Sequence, residues 1–164
     1  MDKVQFQDAT TLVSRYTKPT EFSEHNLLPN ITTLDLQGNQ LSAIDLSNNK
    51  SLNFLNLWSN KLTSINLSPL TNLTVLWLYH NNIRQINLAS NEHLAFIHLG
   101  DNGLESLQLP SRGSIAVLHV NRNELKEFRF FYDPAIFSKH AFWDNPSGCS
   151  ITVAYDKKNS NKAK

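Results

Sequence analysis

The sequence has little cysteine, glycine or proline, and it has no long apolar run. Of its 164 residues, one is cysteine (Cys149), five are glycine and six are proline. A single cysteine excludes a disulfide framework within the chain. No segment approaches the roughly 20 apolar residues that a transmembrane helix needs, and residues 1–8 lack the apolar core of a signal peptide. We therefore expect a protein that tolerates a reducing compartment, either cytoplasmic or exported by a route without a classical signal peptide.

An excess of one charge is also lacking. The chain has 15 Lys and Arg residues against 14 Asp and Glu residues, a formal net charge of +1. This balance does not predict a nucleic acid or a membrane surface as a partner. The most basic stretch is the C-terminal segment 157–164, which we expect to be a disordered, solvated tail. Hydrophobic residues make up 40% of the chain, enough for a packed core.

A repeat of 21 residues is the dominant feature of the sequence. Asparagine recurs with this period, at Asn39, Asn60, Asn81, Asn102 and Asn123. Each repeat has apolar residues at positions 1, 4, 6 and 11 and the asparagine at position 9; the repeats begin at Ile31, Leu52, Leu73, Leu94 and Ile115. This frame, L-x-x-L-x-L-x-x-N-x-L, is the leucine-rich repeat, and five copies in phase make it a strong signal.

The spacing predicts how each repeat folds. Positions 3 to 7 alternate as a strand does, with positions 4 and 6 directed to a core that only stacked repeats can bury. The asparagine is expected to satisfy backbone groups that the following turn leaves unpaired. A second apolar triplet, at positions 11, 14 and 16, is too short for a stable helix. The sequence thus predicts a leucine-rich-repeat solenoid with a parallel β-sheet on its concave side, and an extended or turn-rich convex side with little helix.

The frame resembles one class of repeat in particular. Residues 34–46 read LDLQGNQLSAIDL, and the pattern L-x-x-L-x-L-x-x-N-x-L-x-x-[IL]-x-L is similar to the short bacterial repeats called the IRREKO class. That class repeats the asparagine at position 19, which Asn49 and Asn91 match and Leu70 and Arg112 do not. The resemblance covers about residues 31–130. It implies a bacterial origin and a binding role, sometimes in proteins delivered into host cells.

The ends do not fit the frame as well, and four regions are predicted. Residues 1–30 are expected to form an N-terminal cap with one short helix over residues 8–16, and residues 31–130 the five repeats. Residues 131–156 are expected to form a degenerate sixth repeat and a C-terminal cap, closed by an edge strand at 150–155. In this alignment Phe137 and Phe142 take core positions, whereas His140 falls at a core leucine position. Residues 157–164 form the tail.

The candidate site is the concave face, where positions 3, 5 and 7 are expected to face solvent and positions 8 and 10 to line the rim. These positions are rich in aromatic residues, whereas the convex positions 12, 13 and 15 are polar. Contiguous exposed aromatics mark interaction sites, and Trp and Tyr are frequent in binding hot spots. The predicted contact residues are Phe54, Asn56, Trp58, Val75, Trp77, Tyr79, His80, Phe96, His98, Asp101, Val117, His119 and Arg122.

We interpret this face as the binding surface for another protein. The alternative is a carbohydrate or another small ligand, since aromatic rings on a flat sheet also stack on sugars. Two more interpretations stay open: the rings stiffen the sheet through cross-strand packing, or a loop from a cap covers them. The sequence does not name the partner.

Catalysis and metal binding have little support in the sequence. His98 and His119 are expected side by side, where they are either solvated or part of a pH-sensitive contact, but a metal needs three or four ligands. The frame places no base beside Cys149. Gly100, between Tyr79 and Asn121, is expected to leave a notch for a partner's side chain. We predict no enzyme activity, no cofactor and no metal.

Overall fold

The computed structural model describes residues 10–18, 20, 30–112, 115–132, 139–141, 145 and 150–155. These residues contain strands and turns and no helix. The strands are β1 (Thr11–Val13), β2 (Thr33–Asp35), β3 (Phe54–Asn56), β4 (Val75–Trp77), β5 (Gln85–Asn87), β6 (Phe96–His98), β7 (Ser106–Gln108), β8 (Val117–His119), β9 (Glu127–Tyr132), β10 (Lys139–Ala141) and β11 (Ser150–Tyr155).

The main sheet has seven parallel strands in the order β1-β2-β3-β4-β6-β8-β10. Its register follows the repeat, because Leu34 pairs with Leu55, Leu55 with Leu76, and so on to Leu118. Neighbouring strands thus differ by one repeat, and the equivalent side chains stack in columns. The chain is a parallel leucine-rich-repeat solenoid of about five turns, as the spacing predicts.

The core is a stack of leucine and isoleucine layers between the two faces. Leu55, Leu57 and Leu62, at positions 4, 6 and 11 of the second repeat, are fully buried, and the equivalent residues of the other repeats are buried as well. Burying one such side chain stabilises the fold by about 1.5–3 kcal/mol. Each layer is covered by the layers before and after it, so the stack supplies the stability.

The backbone on the convex side is extended, which confirms the predicted extended or turn-rich convex side. β5 pairs with β7 in a short parallel sheet, in which Ile86 and Leu107 point into the core and the residues on either side are exposed. Further along, β9 pairs with β11 in parallel. Strands occupy less lateral room than helices, and the back of the solenoid therefore adds little to its width.

The asparagines at position 9 of the repeats, which we call the asparagine ladder, connect each turn to the preceding repeat by hydrogen bonds. Asn60 Nδ2 donates to the carbonyls of Leu36 and Leu57, both at 3.0 Å, and Asn60 Oδ1 accepts the backbone N–H of Leu41 at 3.0 Å. The other ladder asparagines make equivalent bonds, at Asn39, Asn81, Asn102 and Asn123. The amide thus satisfies backbone groups inside the protein, which is the structural role expected of it.

The prediction of a helix over residues 8–16 is wrong. Thr11–Val13 is a strand that pairs with β2, and the chain continues in register, with the Ser14 N–H donating to the Asp35 carbonyl at 2.8 Å. The edge of β2 carries backbone donors and acceptors that a strand can satisfy and a helix cannot. Leu12 packs against the core in line with Leu34. This segment is therefore an irregular turn of the solenoid, offset by 22 residues from the first repeat.

The C-terminal part follows the main sheet at least as far as β10. His140 pairs with Leu118 at an offset of 22 residues, the offset that aligns Asn145 with Asn123. Asn145 Nδ2 donates to the Val120 carbonyl at 3.0 Å, as a ladder asparagine does. Phe137, Phe142, Cys149, residues 1–9 and the basic segment 157–164 lie outside the described residues.

Candidate functional site

Short strands place the aromatic columns on the concave face. Every strand of the main sheet between β2 and β8 is three residues long, with its middle residue buried in the core and its first residue on the concave side. Phe96 is 44% exposed and Trp58 is 39% exposed, whereas Phe54, Val75 and Val117 are half-buried. The stacking of repeats therefore gathers large apolar side chains that are far apart in the sequence.

The rings contact one another across neighbouring strands. Phe54 meets Trp77 edge to face with centroids 5.3 Å apart, and Trp58 meets Tyr79 in the same way at 5.6 Å. Trp77 continues to His98 at 5.9 Å. Edge-to-face pairs add roughly 0.5–1.5 kcal/mol beyond the area that they bury. The rings are thus fixed relative to one another, and the surface is organised before any partner binds.

A cavity of about 410 Å³ lies over this network. Its lining consists of aromatic and imidazole side chains from consecutive repeats, the second to the fifth, namely Trp58, Trp77, Tyr79, His98 and His119. We call these five residues the aromatic cavity. Its volume falls at the lower end of the roughly 300–1,000 Å³ of ligand pockets. The predicted contact residues are therefore brought together in a concave space as well as on a flat sheet.

A polar cavity, also of about 410 Å³, lies beside the first one at the rim. His80, Asn82, Asp101 and Arg122 line it together with ladder asparagines. An Arg122 guanidinium nitrogen lies 3.3 Å from the Asp101 carboxylate. We call His80, Asp101 and Arg122 the rim cluster, and they follow one another along consecutive repeats as the sequence predicts.

Tyr79 connects the aromatic cavity to the rim cluster. Its ring lines the aromatic cavity, while its hydroxyl lies 3.5 Å from the Arg122 guanidinium. A hydrogen bond to the Asp101 carboxylate, together with burial, raises the pKa of the Tyr79 phenol above its usual value. The phenol therefore stays neutral and donates to Asp101. The His80 ring stacks beside that of Tyr79 at 6.3 Å, so the two cavities form one continuous surface.

Asn56, a predicted contact residue, does not reach this surface. It is fully buried, its Oδ1 accepts the Trp58 backbone N–H at 3.0 Å, and its Nδ2 donates to Gln37 Oε1 at 3.3 Å. Asp35, at the same position of the first repeat, is also buried. Short polar side chains at position 5 fold back onto the backbone two residues ahead, whereas Trp77 at that position extends outward. The expectation that position 5 always faces solvent is therefore wrong.

The notch expected at Gly100 is filled. A Cβ atom at Gly100 would lie 2.9 Å from two Tyr79 ring carbons and 2.8 Å from Asn121 Oδ1. The glycine is needed so that the Tyr79 ring can lie across its backbone. Gly103 on the nearby rim has open space around it. The concave depression is consequently the aromatic cavity and not a gap at position 100.

The N-terminal margin of this face is not predicted by the 21-residue frame. Arg15 aligns with the position-7 column of the repeats and forms an ion pair with the buried Asp35 at 2.5 Å. Tyr16 lies over Gly38 and accepts a hydrogen bond from Gln37 Nε2 at 2.8 Å. A search at an offset of 22 residues rather than 21 would have aligned both residues with the frame. This margin combines the exposed Val13 and Tyr16 side chains with the polar side chains of the first repeat, and it does not continue the aromatic columns of positions 3, 5 and 7.

The described parts of the chain contain no group of three or more His, Cys, Asp or Glu residues arranged to hold a metal ion. His98 and His119 are neighbours, with ring centroids 4.3 Å apart, but they stand as a pair. Within the same parts, there is no helix of the length and apolar character that crossing a membrane requires.

Several solved structures with the same fold come from bacterial leucine-rich-repeat proteins. The functional domain of InlJ from Listeria monocytogenes superposes with a TM-score of 0.72 and 24% identity, over 91% of this chain and 32% of that one. The internalin inlF from the same organism superposes with a TM-score of 0.67 and 24% identity, over 85% of this chain and 49% of that one. YopM, a leucine-rich effector protein from Yersinia pestis, superposes with a TM-score of 0.65 and 19% identity, over 85% of this chain and 44% of that one.

These similarities establish the fold and no more, because function depends on sites and not on architecture. This chain spans between 32% and 49% of the length of those three proteins. No protein-family model matches the sequence, and no curated protein matches it either.

Proposed function

We propose that this chain is a protein-interaction module that binds its partner through the concave face. The observation that supports this most is the band of interlocked rings on the concave side, in which Trp58 is 39% exposed, together with Phe96 on the neighbouring strand, which is 44% exposed. On the convex side, Gln85, Asn87 and Ser106 are polar and exposed. The two faces therefore differ in the way that a binding surface differs from a solvated one.

The energy of binding is expected to be concentrated near the aromatic cavity. Trp58 and Tyr79 present large, pre-oriented surfaces, and such residues at the centre of an interface often cost about 2 kcal/mol or more when truncated. Phe96, Val75 and Val117 flank the cavity and would complete the apolar contact. The rim cluster would form the polar border that selects the orientation of the partner.

Several finer proposals accompany this one. The likeness to internalins and to the effector YopM favours a bacterial origin, and the pattern at residues 34–46 favours the IRREKO class of repeats. A role as an effector delivered to host cells is consistent with both. We also propose the division into a cap at 1–30, repeats at 31–130, a degenerate repeat with its cap at 131–156 and a tail. We propose no enzyme activity for this surface.

The test is a capture experiment with matched variants. A Trp58→Ala, Phe96→Ala variant changes two exposed concave residues, and a Gln85→Ala, Asn87→Ala variant changes two exposed convex residues as the control. Partners cross-linked to the native chain should be depleted at least tenfold with the concave variant, which corresponds to about 1.4 kcal/mol, and be retained with the control. Equal recovery with both variants would contradict the proposal.

A second candidate ligand is a carbohydrate. The observation that favours it is the adjacency of the aromatic cavity and the polar rim, since a sugar offers an apolar face to a ring and hydroxyl groups to side chains such as Asp101 and Arg122. A glycan array followed by tryptophan fluorescence titration tests it. A complete lack of response across the array would remove this candidate and leave the protein partner.

A further inference from the structure

Two histidines form one wall of the aromatic cavity. His98 on β6 and His119 on β8 are direct register partners, and their rings lie 4.3 Å apart with an interplanar angle of 35°. Both are half-buried. The register of the sheet therefore places the two rings side by side in the wall of the cavity.

The groups around this pair determine the charge of the cavity. On the β4 side, Trp77 and Tyr79 face the pair, and Tyr79 is a neutral phenol. Beyond Tyr79, the charged groups of the described residues are Asp101 and Arg122, which form an ion pair at 3.3 Å and neutralise each other. His80 lies beyond the Tyr79 ring as the third titratable group of the surface.

The next strand adds no titratable group at the same register position. On β10, the register partner of His119 is Ala141, while Lys139 and His140 pair with Val117 and Leu118. With neutral imidazoles, the described wall of the aromatic cavity carries no net charge.

This composition indicates which group the cavity accepts. The faces of aromatic rings carry partial negative charge, which disfavours a carboxylate. The two imidazoles disfavour an ammonium or guanidinium group increasingly as the pH falls and they become protonated. An uncharged side chain is repelled neither by the ring faces nor by the imidazoles. Its transfer from water to an apolar wall is also favourable in free energy. The charge of the cavity thus favours an uncharged aromatic or aliphatic side chain.

We propose that the aromatic cavity receives an uncharged aromatic or aliphatic side chain of a protein partner, and that protonation of the His98–His119 pair weakens this contact. This inference rests on the proposed function. Histidine ordinarily changes charge between about pH 5 and 8. A proton on either ring places a positive charge in the wall, and an apolar occupant then strips water from that charge. A second proton is opposed by the first, so the pair titrates in two coupled steps.

The experiment uses p-cresol, a neutral mimic of a tyrosine side chain, and NMR of the full chain. The probe is titrated at pH of about 7.5 and about 5.5 while the indole N–H signals of Trp58 and Trp77 and the imidazole signals of His98 and His119 are followed. We expect saturable shifts at these four residues and a dissociation constant that rises about fivefold or more at the lower pH. A pH titration without the probe should show two separate steps for the pair.

Variants separate this effect from a general effect of acid. In His119→Gln, His98 should titrate in one step and the pH effect on p-cresol binding should shrink to less than about twofold. His98→Gln serves as an independent second variant. His93→Gln, at an exposed position outside the cavity, should retain the native pH effect.

Some results would overturn the inference, and they differ from those that would overturn the proposed function. The inference would be refuted if the dissociation constant of p-cresol were equal at both pH values. It would also be refuted if the pH effect persisted in the histidine variants, or if p-cresol caused no saturable NMR shift at the cavity residues. Capture of partners by the concave face is measured separately. It can succeed when the NMR result is negative, and it can fail when the NMR result is positive.

Discussion

At the scale of single residues, the turn after each strand has an unusual backbone. Position 8 adopts a positive φ in every repeat, with φ of 72° at Gly38 and between 48° and 60° at Ser59, His80, Asp101 and Arg122. This region costs a residue with a side chain roughly 1–2 kcal/mol. The ladder asparagine that follows at position 9 holds the turn in place. The three rim residues are thus kept at positions where glycine would be more stable, which is typical of functional sites.

The first prediction follows from that strain. Arg122→Gly relieves the left-handed backbone and removes the ion pair with Asp101 and the long contact with the Tyr79 hydroxyl; a partly exposed ion pair is worth less than about 1 kcal/mol. We expect the free energy of unfolding to rise by about 1 kcal/mol in urea denaturation. Arg84→Gly is the control, since Arg84 also forms an exposed ion pair, with Glu105, but has no positive φ. It should lower stability by about 0.5–1 kcal/mol, and a decrease in both variants would contradict the argument.

The second prediction concerns the buried carboxylate of Asp35. Burial on its own would raise its pKa, but hydrogen bonds from Arg15, the Gln37 backbone N–H and Asn56 outweigh it and hold the pKa below the usual value. Because the folded pKa is lower than the unfolded value of about 3.9, the carboxylate stabilises the fold above that pH. This stabilisation is lost as the pH falls through the folded pKa. Asp35→Asn should therefore cost about 2 kcal/mol at neutral pH.

The measurement for Asp35 is the free energy of unfolding of both proteins from neutral pH down to about pH 2. The difference between native chain and variant should be largest above pH of about 4 and should shrink below it. Glu105→Gln, at an exposed position on the convex side, provides the control with little pH dependence. If the difference in unfolding free energy between the native chain and Asp35→Asn increased as the pH fell, the pKa of Asp35 would not be lowered in the folded state.

At the scale of the elements, the repeat predicted the strands because each one has two inward leucines and a ladder asparagine. β1 has neither complete pattern: Leu12 is its one core residue, and Ser14 and Thr17 stand where the frame has a leucine and an asparagine. β1 forms because it pairs with the exposed backbone edge of β2. This pairing depends on the folded neighbour, and the local sequence of β1 cannot show it. The same local view predicted a helix there.

The third prediction tests the ladder as an element. In Asn81→Asp, the amide donor to the carbonyls of Leu57 and Leu78 is replaced by a carboxylate oxygen that repels them. Each carbonyl keeps one amide donor, from Asn60 and from Asn102, but a buried carboxylate beside two carbonyl oxygens should cost about 3 kcal/mol or more in unfolding free energy. Asn82→Asp changes the adjacent exposed side chain and should cost within about 0.5 kcal/mol. Similar losses in both variants would show that charge, and not the ladder, is responsible.

At the scale of the whole molecule, the sequence predicted which residues share the concave face but not how they fill it. The columns placed Trp58, Trp77 and Tyr79 together because the period fixes the register of parallel strands. They could not show that Asn56 folds back onto its own strand or that Tyr79 covers Gly100, because both depend on side-chain rotamers and neighbours. The cavity is a product of this packing, and it appears only when the repeats are stacked.

The last prediction concerns how the stack comes apart. Each repeat is covered only by its neighbours, so a defect in the middle weakens both halves, whereas a defect at the end releases one strand. Leu76→Ala in β4 should cost about 2–5 kcal/mol and lower hydrogen-exchange protection together in β3, β4 and β6. Leu12→Ala in β1, at the edge of the described sheet and only partly buried, should cost less and release β1 alone. If Leu76→Ala left β3 and β6 fully protected, the repeats would be independent units, and a site built from several of them could not be held in shape by the stack.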